Sequence, residues 1–379
     1  MVPNGLTWEK VTSTNLGIDA GFLDNRLTVT FDRYIRYTIG MFTPGLPLPS
    51  VFGSGVPKGN YADLKTPGWE LSVGWNNRVN DLNAFHYDLR FTLSDNHSIV
   101  TRYNNPNGLI NTYYEGERLG EIWGYQVDGL FKDEEDIAKN AADQSMVPAT
   151  TKSRKDIQPG DLKFVDLDGD GKITPGAETL DDHGDMKVIG NSQARYLYGF
   201  SANANWHNFD LSVFFQGIGK RDFWFGTDAS YFWGQYNRPY SFEPMDVYEN
   251  QWSPDNPNAY FPRLVGYEAN GAGQNKALNV PTTRYLQNVA YVRLKNLSLG
   301  YNLPESLITK AGLTRARIFL SGQNLWVWSP MFKITEAIDP EAVDSDSDAD
   351  SYLSGTFSGS KTDVYPILRT ITFGINLTF

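Results

Sequence analysis

The chain has 379 residues, no cysteine, four histidines and a net charge of −11. That length suits one large domain or two ordinary ones. The missing cysteine excludes disulfides, thiolate metal sites and cysteine nucleophiles, and the acidic balance argues against a nucleic-acid partner, which needs a basic face.

Aromatic residues make up 14% of the chain, a rich share that suits membrane-interface belts, protein interfaces or sugar platforms. The start, Met1 to Gly5, lacks the basic residues and apolar core of a signal peptide. No run of 18 apolar residues exists, so no transmembrane helix is expected. A transmembrane β-barrel stays open, because its apolar surface is hidden in alternation and escapes hydropathy averaging.

Alternation of apolar and polar residues predicts nine strands in chain order. The first two, Leu16 to Phe22 and Leu27 to Tyr37, are joined by the short link Leu23-Asp-Asn-Arg26. A long connection, Ile39 to Lys65, leads to Trp69 to Trp75, and Asn76 to Asp81 turns the chain into Phe85 to Leu93. The next connection, Asp95 to Arg195, is the longest. Its stretch Asp133 to Asp143 suits a short helix, and Asp166-Leu-Asp-Gly-Asp-Gly-Lys-Ile-Thr174 has the look of a metal loop. Strands Tyr196 to Trp206 and Phe209 to Phe215 follow, joined by His207-Asn208. A third long connection, Ile218 to Gln287, precedes Asn296 to Leu303. Pro304 to Thr314 then links to Ala316 to Leu325. A fourth long connection, Ser329 to Pro366, includes acid-rich Asp339 to Asp350, which reads as a solvated loop with no packed core. The last strand, Ile371 to Phe379, has Ile371, Phe373, Ile375, Leu377 and Phe379 on one face, with Thr, Gly and Asn between them. Short and long links thus alternate along the chain. Soluble sandwiches do not sort loops this way, whereas outer-membrane barrels have short periplasmic turns and long extracellular loops. The fold class expected is all-β, an antiparallel transmembrane β-barrel portion of about nine strands.

The aspartate loop offers calcium-type oxygen ligands at alternate positions: Asp166, Asp168, Asp170 and the carbonyl of Lys172. Gly171 permits the sharp bend, and Ile173 can anchor the loop in packing. The twelfth position, normally a bidentate acid, is Ala177, so a closing ligand has to come from Glu178, Asp181, Asp182 or Asp185. The alternative is a plain Asp/Gly turn. An ion here would stiffen a long loop lacking a core of its own. In the third connection, Trp224, Tyr231, Trp233 and Tyr236 belong to a ring cluster with faces for a substrate or a partner; the commoner fate of such rings is to pack the loop itself. No enzyme is expected. Glu134-Glu135 and Asp181-Asp182 are adjacent acids rather than a convergent pair, and no nucleophile elbow or phosphate loop is present.

Several stretches together resemble the SusC/RagA family of TonB-dependent outer-membrane transporters of Bacteroidetes. They are Leu23 to Asp32, Gly116 to Gly124, Gly160 to Ile173, Asp185 to Ser192, Tyr196 to Phe200, Asn208 to Asp222, Trp252 to Ala259, Arg293 to Pro304 and Ser321 to Leu325. The resemblance covers the whole chain. It implies a Gram-negative outer-membrane location and import of oligosaccharides or peptides, under a SusD-like lipoprotein lid and driven by TonB. Barrels of this class have 22 strands and a plugged lumen. Residues 1–379 would then be the C-terminal portion, without plug or TonB contact, and 95–195 an extracellular loop. Alone, such a chain would aggregate or form a curved open sheet. The competing reading is a secreted, soluble, calcium-dependent carbohydrate-binding β-sandwich, in which the apolar strand faces close on each other.

Overall fold

The computed structural model describes residues 6–45, 53, 56–77, 84–145, 156–226, 229–269, 278–343 and 367–379. Four long strands come first: β1 (Lys10–Phe22), β2 (Leu27–Pro44), β3 (Lys58–Asn76) and β4 (His86–Asn96). A group of short elements follows: β5 (Ile99–Arg102), β6 (Glu121–Tyr125), β7 (Val127–Leu130), helix α1 (Glu134–Asn140), β8 (Leu162–Phe164) and β9 (Met186–Asn191). Then come the long strands β10 (Arg195–Trp206) and β11 (Phe209–Lys220), the short β12 (Asp222–Phe223) and β13 (Gln287–Asn288), and the long β14 (Tyr291–Asn302), β15 (Arg315–Trp328) and β16 (Thr370–Thr378).

The nine long strands form one antiparallel sheet in the order β1-β2-β3-β4-β10-β11-β14-β15-β16, with β5 paired to β3. All nine expected strands are present. Several run further than the alternation showed, β2 to Pro44 and β11 to Lys220, while β3 starts as early as Lys58. At 18 and 19 residues, β2 and β3 exceed the ~10 residues of a tilted membrane crossing, so they project beyond it. The first long connection is correspondingly shorter than the sequence suggested. The tight turn after β1 has Leu23, Asp24 and Asn25 all at positive φ, closed by the Arg26 amide donating to the Leu23 carbonyl at 3.1 Å. In the second short link, 78–83 lie outside the described residues.

Register makes the sheet two-faced. One cross-strand row reads Ala20, Val29, Val73, Phe91, Phe200, Phe215. Another reads Ala204, Leu211, Leu299, Leu320, Phe373. The row between them on the opposite face is Asp88, Asn203, Ser212, Ser298, Ser321, Thr372. Alternating side chains put every member of a row on one side. The apolar side is bare: Ile371 is 72% exposed and Phe373 66%. No second sheet covers it among the described residues, which removes the sandwich geometry. The polar side is low and partly self-satisfied. There Arg317 Nε donates to Asp210 Oδ1 at 2.9 Å. Its guanidinium lies across Gly300, where a Cβ would sit 2.4 Å from Arg317 Nη2. The sheet is open, with β1 and β16 at its edges.

The long connections after β4, β11 and β15 leave from the same end of the sheet and share one hydrophobic core. Tyr125, Leu162, Phe164 and Ile173 come from the first of these, Phe225, Phe232, Trp233, Tyr236, Phe261 and Tyr285 from the second, and Met331, Ile338 and Val343 from the third. This corrects the expectation of loops without a core. Val343 also corrects the solvated reading of the acid-rich stretch as far as residue 343; 344–350 lie outside the described residues. Helix α1 forms inside the expected range, with the Asp133 carboxylate accepting the Asp136 amide at 2.8 Å as its N-cap.

Two outcomes follow. With the protein folded in lipid vesicles, Leu297→Arg on the apolar face should cost about 2–4 kcal/mol in urea unfolding, and Ser298→Arg, one residue away on the polar face, under about 1 kcal/mol; equal costs would contradict the assignment of faces. In the loop core, Trp233→Ala should destabilise by about 3–5 kcal/mol. Limited proteolysis should then cut the long connections while the heat-modifiable gel band of the strands persists.

Candidate functional site

The loop core is a lattice of rings. Phe232 stacks on Phe225 at 4.6 Å, Tyr285 on Phe261 at 6.0 Å and Tyr236 on Phe261 at 5.8 Å. Trp233 meets Phe232 edge-on at 4.7 Å. Two polar atoms carried inside by these rings find backbone partners, as burial requires. Trp233 Nε1 donates to the carbonyl of Phe225 at 3.1 Å, and Tyr236 Oη to that of Pro262 at 2.5 Å. Burial pushes the Tyr236 and Tyr285 hydroxyls far above the usual phenol range, so both stay neutral.

Three of the four rings weighed as faces for a substrate or partner are thus interior, the loop packing that the sequence favoured for such a cluster. Trp224, Trp233 and Tyr236 are buried and present no face; only Tyr231 is exposed. The difference among the four has a simple cause. Sequence shows a cluster of rings, but which way each points depends on elements more than 100 residues apart in the chain, such as Phe164 and Tyr285 in the same core.

An ion-pair network joins this loop assembly to the sheet. Arg293 lies on the polar face of β14, opposite Gln216 and Val327, yet it is only 2% exposed. Its Nη2 donates to Asp339, its Nε lies 2.7 Å from Glu341, and Lys295 pairs with Glu341 as well. The fourth long connection therefore folds back over the polar face. A guanidinium this deep is tolerated because two carboxylates meet it, and removing it would strand both.

The aspartate loop hangs from the same core, since Ile173 is fully buried. Asp166 accepts the amides of Gly169 at 2.6 Å and Gly171 at 2.7 Å. Asp168 accepts that of Asp170 at 3.0 Å, and Asp170 that of Lys172 at 2.7 Å. Positive φ at Gly169 and Gly171 allows the tight winding. Asp185 arrives from beside β9 and is 1% exposed. Its two oxygens accept the Leu167 and Thr174 amides at 2.6 and 2.7 Å. Asp166, Asp168 and Asp185 each bring a ligand oxygen within 4.8 Å of the others. Of the four candidates for a closing acid, Asp185 is the one gathered with Asp166 and Asp168. Asp170 is not part of that set, and Lys172 is held in a bridge with Asp143. Burial, reinforced by the charges of Asp168 and Asp166, raises the Asp185 carboxyl above its ordinary range against the pull of its two amide donors. Hard oxygen ligands of this kind suit a divalent cation such as calcium. They can hold an ion.

No protein-family model matches the chain. Curated relatives do. A TonB-dependent receptor of Formosa agariphila is 30% identical over 99% of this chain and 35% of its own length. A second receptor from that organism is 26% identical, again across 35% of its length. The TonB-dependent receptor SusC of Bacteroides thetaiotaomicron is 21% identical over 99% of this chain and 32% of its own. Among solved structures, the RagAB peptide transporter superposes with a TM-score of 0.67 at 22% identity, covering 99% of this chain and 36% of that one. The chain spans about a third of the length of the curated relatives it matches. The two-faced antiparallel sheet is that of an outer-membrane barrel, and the outer membrane is where it resides. Over 99% of its length this chain is similar in sequence to TonB-dependent receptors, SusC among them, and in fold to the RagAB transporter.

Proposed function

We propose that this chain forms just under half the wall of a larger plugged barrel that imports oligosaccharides or peptides, with a SusD-like surface lipoprotein as lid and TonB as the source of force. One observation carries the reading. The apolar face spans the nine strands, interrupted at Arg33 between Leu16 and Trp69, while three long connections at one end pool their rings into a folded cap. Lipid accepts the first surface. The second is a structured mouth, more than connecting strands requires. The relatives are receptors and a transporter, and one is named for peptide transport. The wall residues do no chemistry; they bound a path and support the cap.

Within this reading the aspartate loop holds a calcium ion through Asp166, Asp168 and Asp185. The ion would neutralise three clustered acids and fix the segment between Val165 and Asp185 to the cap, a structural staple rather than a catalytic centre.

Uptake tests the import reading. Cells carrying a deletion of the gene should lose growth on a subset of oligosaccharides or peptides, and loss of TonB should reproduce the defect. Unchanged growth and uptake on every such source would refute it. The staple is read separately on the purified protein in detergent. Terbium should bind and luminesce, with at least about ten-fold weaker binding in Asp168→Ala and Asp185→Ala, and chelator should open the 166–185 segment to protease. No terbium signal, with cleavage indifferent to chelator, would dismiss the ion and leave the import reading intact.

A further inference from the structure

We infer that the outward side of β1, β2 and β3, towards the end of the long connections, binds the phosphate of a lipid in the outer leaflet through Arg33 and Lys65. This goes beyond the import reading and does not depend on it.

Register places the first cation. Arg33 of β2 lies between Leu16 of β1 and Trp69 of β3, in a row of the apolar face, and it is exposed. Below it, β2 turns Phe31, Val29 and Leu27 to the same side, as alternation requires. Above it the face becomes mixed. On β1, Thr14 and Thr12 stand opposite Ile35 and Tyr37. On β3, Lys65 stands opposite Tyr37, with its ammonium 6.0 Å from the centre of the Tyr37 ring.

The carboxylates at this level are committed elsewhere. Asp95, next in the row after Trp69, accepts two Arg195 donors and the Tyr196 amide. Asp63, two positions from Lys65, is gripped by Arg102 at 2.7 and 2.9 Å. Asp32 and Glu70 face each other across β2 and β3 on the polar side. Neither Arg33 nor Lys65 has a carboxylate partner among the described residues. Since β2 is paired along both edges, by β1 and β3, no further strand covers Arg33, and its outward side meets the bilayer. The missing anion has to come from there.

Depth suits a headgroup. Arg33 is six positions beyond Leu27 and four short of Tyr37. At ~3.3 Å per residue and a tilt of about 40°, it stands ~15 Å above the hairpin end and ~10 Å below Tyr37. That is the upper part of an apolar band about 25 Å tall, from which a guanidinium extends upward towards Lys65 and the headgroups. The guanidinium offers a phosphate two parallel N–H donors and the ammonium a compact charge. A lipid fits better than free phosphate, because its acyl chains also cover the apolar rows beneath, where Phe31 stacks on Trp69 at 6.4 Å.

The test uses the complete receptor, delipidated in detergent with EDTA present, and phosphorylated lipid A as the probe, with bound lipid counted by native mass spectrometry. The unaltered receptor should bind it at least about ten-fold more tightly than the same lipid stripped of phosphate. Arg33→Gln with Lys65→Gln should bind the phosphorylated lipid at least about ten-fold more weakly and no longer distinguish the two lipids. Arg36→Gln, on the polar face of the same strand, should change neither result. An unshifted heat-modifiable gel band verifies that the variants are folded. A folded double variant that still prefers the phosphorylated lipid would overturn the site. Should the double variant not fold, the unaltered receptor decides alone, and equal binding of the two lipids overturns the site. Displacement of the lipid by equimolar inorganic phosphate would make this a free-anion site, and a changed oligomeric state with unchanged lipid binding would make it a protein contact; either result overturns the proposal.

Discussion

Everything in this molecule depends on register. In a hydrocarbon medium each strand must satisfy its backbone through its neighbours, and each must turn the same face outward. A slip of one residue anywhere would move a whole strand's apolar set to the wrong side. The irregularities in the sheet show how strictly this is kept. On β11 and β14, Val213 faces Leu297, and the next apolar pair is Phe215 with Leu294. Without an extra residue between them, Phe215 would face Lys295. The bulge lifts Lys295 out of the ladder, keeps the apolar row continuous and leaves its ammonium beside Glu341. The bulge between Thr38 and Met41 lies near the far end of β2, towards the long connection, where strands already project past the membrane.

The cap follows from the same constraint. A sheet whose two faces are committed to lipid and to an aqueous interior has no apolar surface to lend its connections. Long connections must then bury their own rings, and a single connection has too few. Three of them pool Tyr125, Trp233, Phe261, Tyr285, Met331 and others into one core. The Arg293 network anchors that core to the wall, and its depth explains why it has the form of a cation between two carboxylates: an unpaired guanidinium at 2% exposure would carry a large desolvation cost.

Much of the wall was legible in the sequence because period-two alternation is local. Ile371 to Leu377 states its own face, and so does Leu297 to Tyr301. The strand ends were less legible where alternation lapses, as at Gly40 in β2, although pairing with β3 continues to Pro44. The cap was not legible at all as a shared core, since its contacts join segments that sequence presents as separate loops. Tyr231 and Trp233 are alike in their neighbourhood and opposite in burial. Asp185 shows the same limit at the candidate ion site. It lies 19 positions beyond Asp166, outside any twelve-residue loop template, and only the folded chain, with Asp185 directly before β9, brings it back to the first aspartates.

The aspartate loop also joins what look like two independent features. Ile173 buries the aspartate loop in the ring core, and the amides of Asp143 and Ile173 tie the loop to the end of the α1 segment at 2.9 and 2.7 Å. The aspartate loop is therefore packed into the cap through Ile173, which lies within the cluster that holds Trp233 and Tyr236. A displacement of the aspartate loop would reach that cluster through Ile173, because packed interiors transmit strain instead of absorbing it.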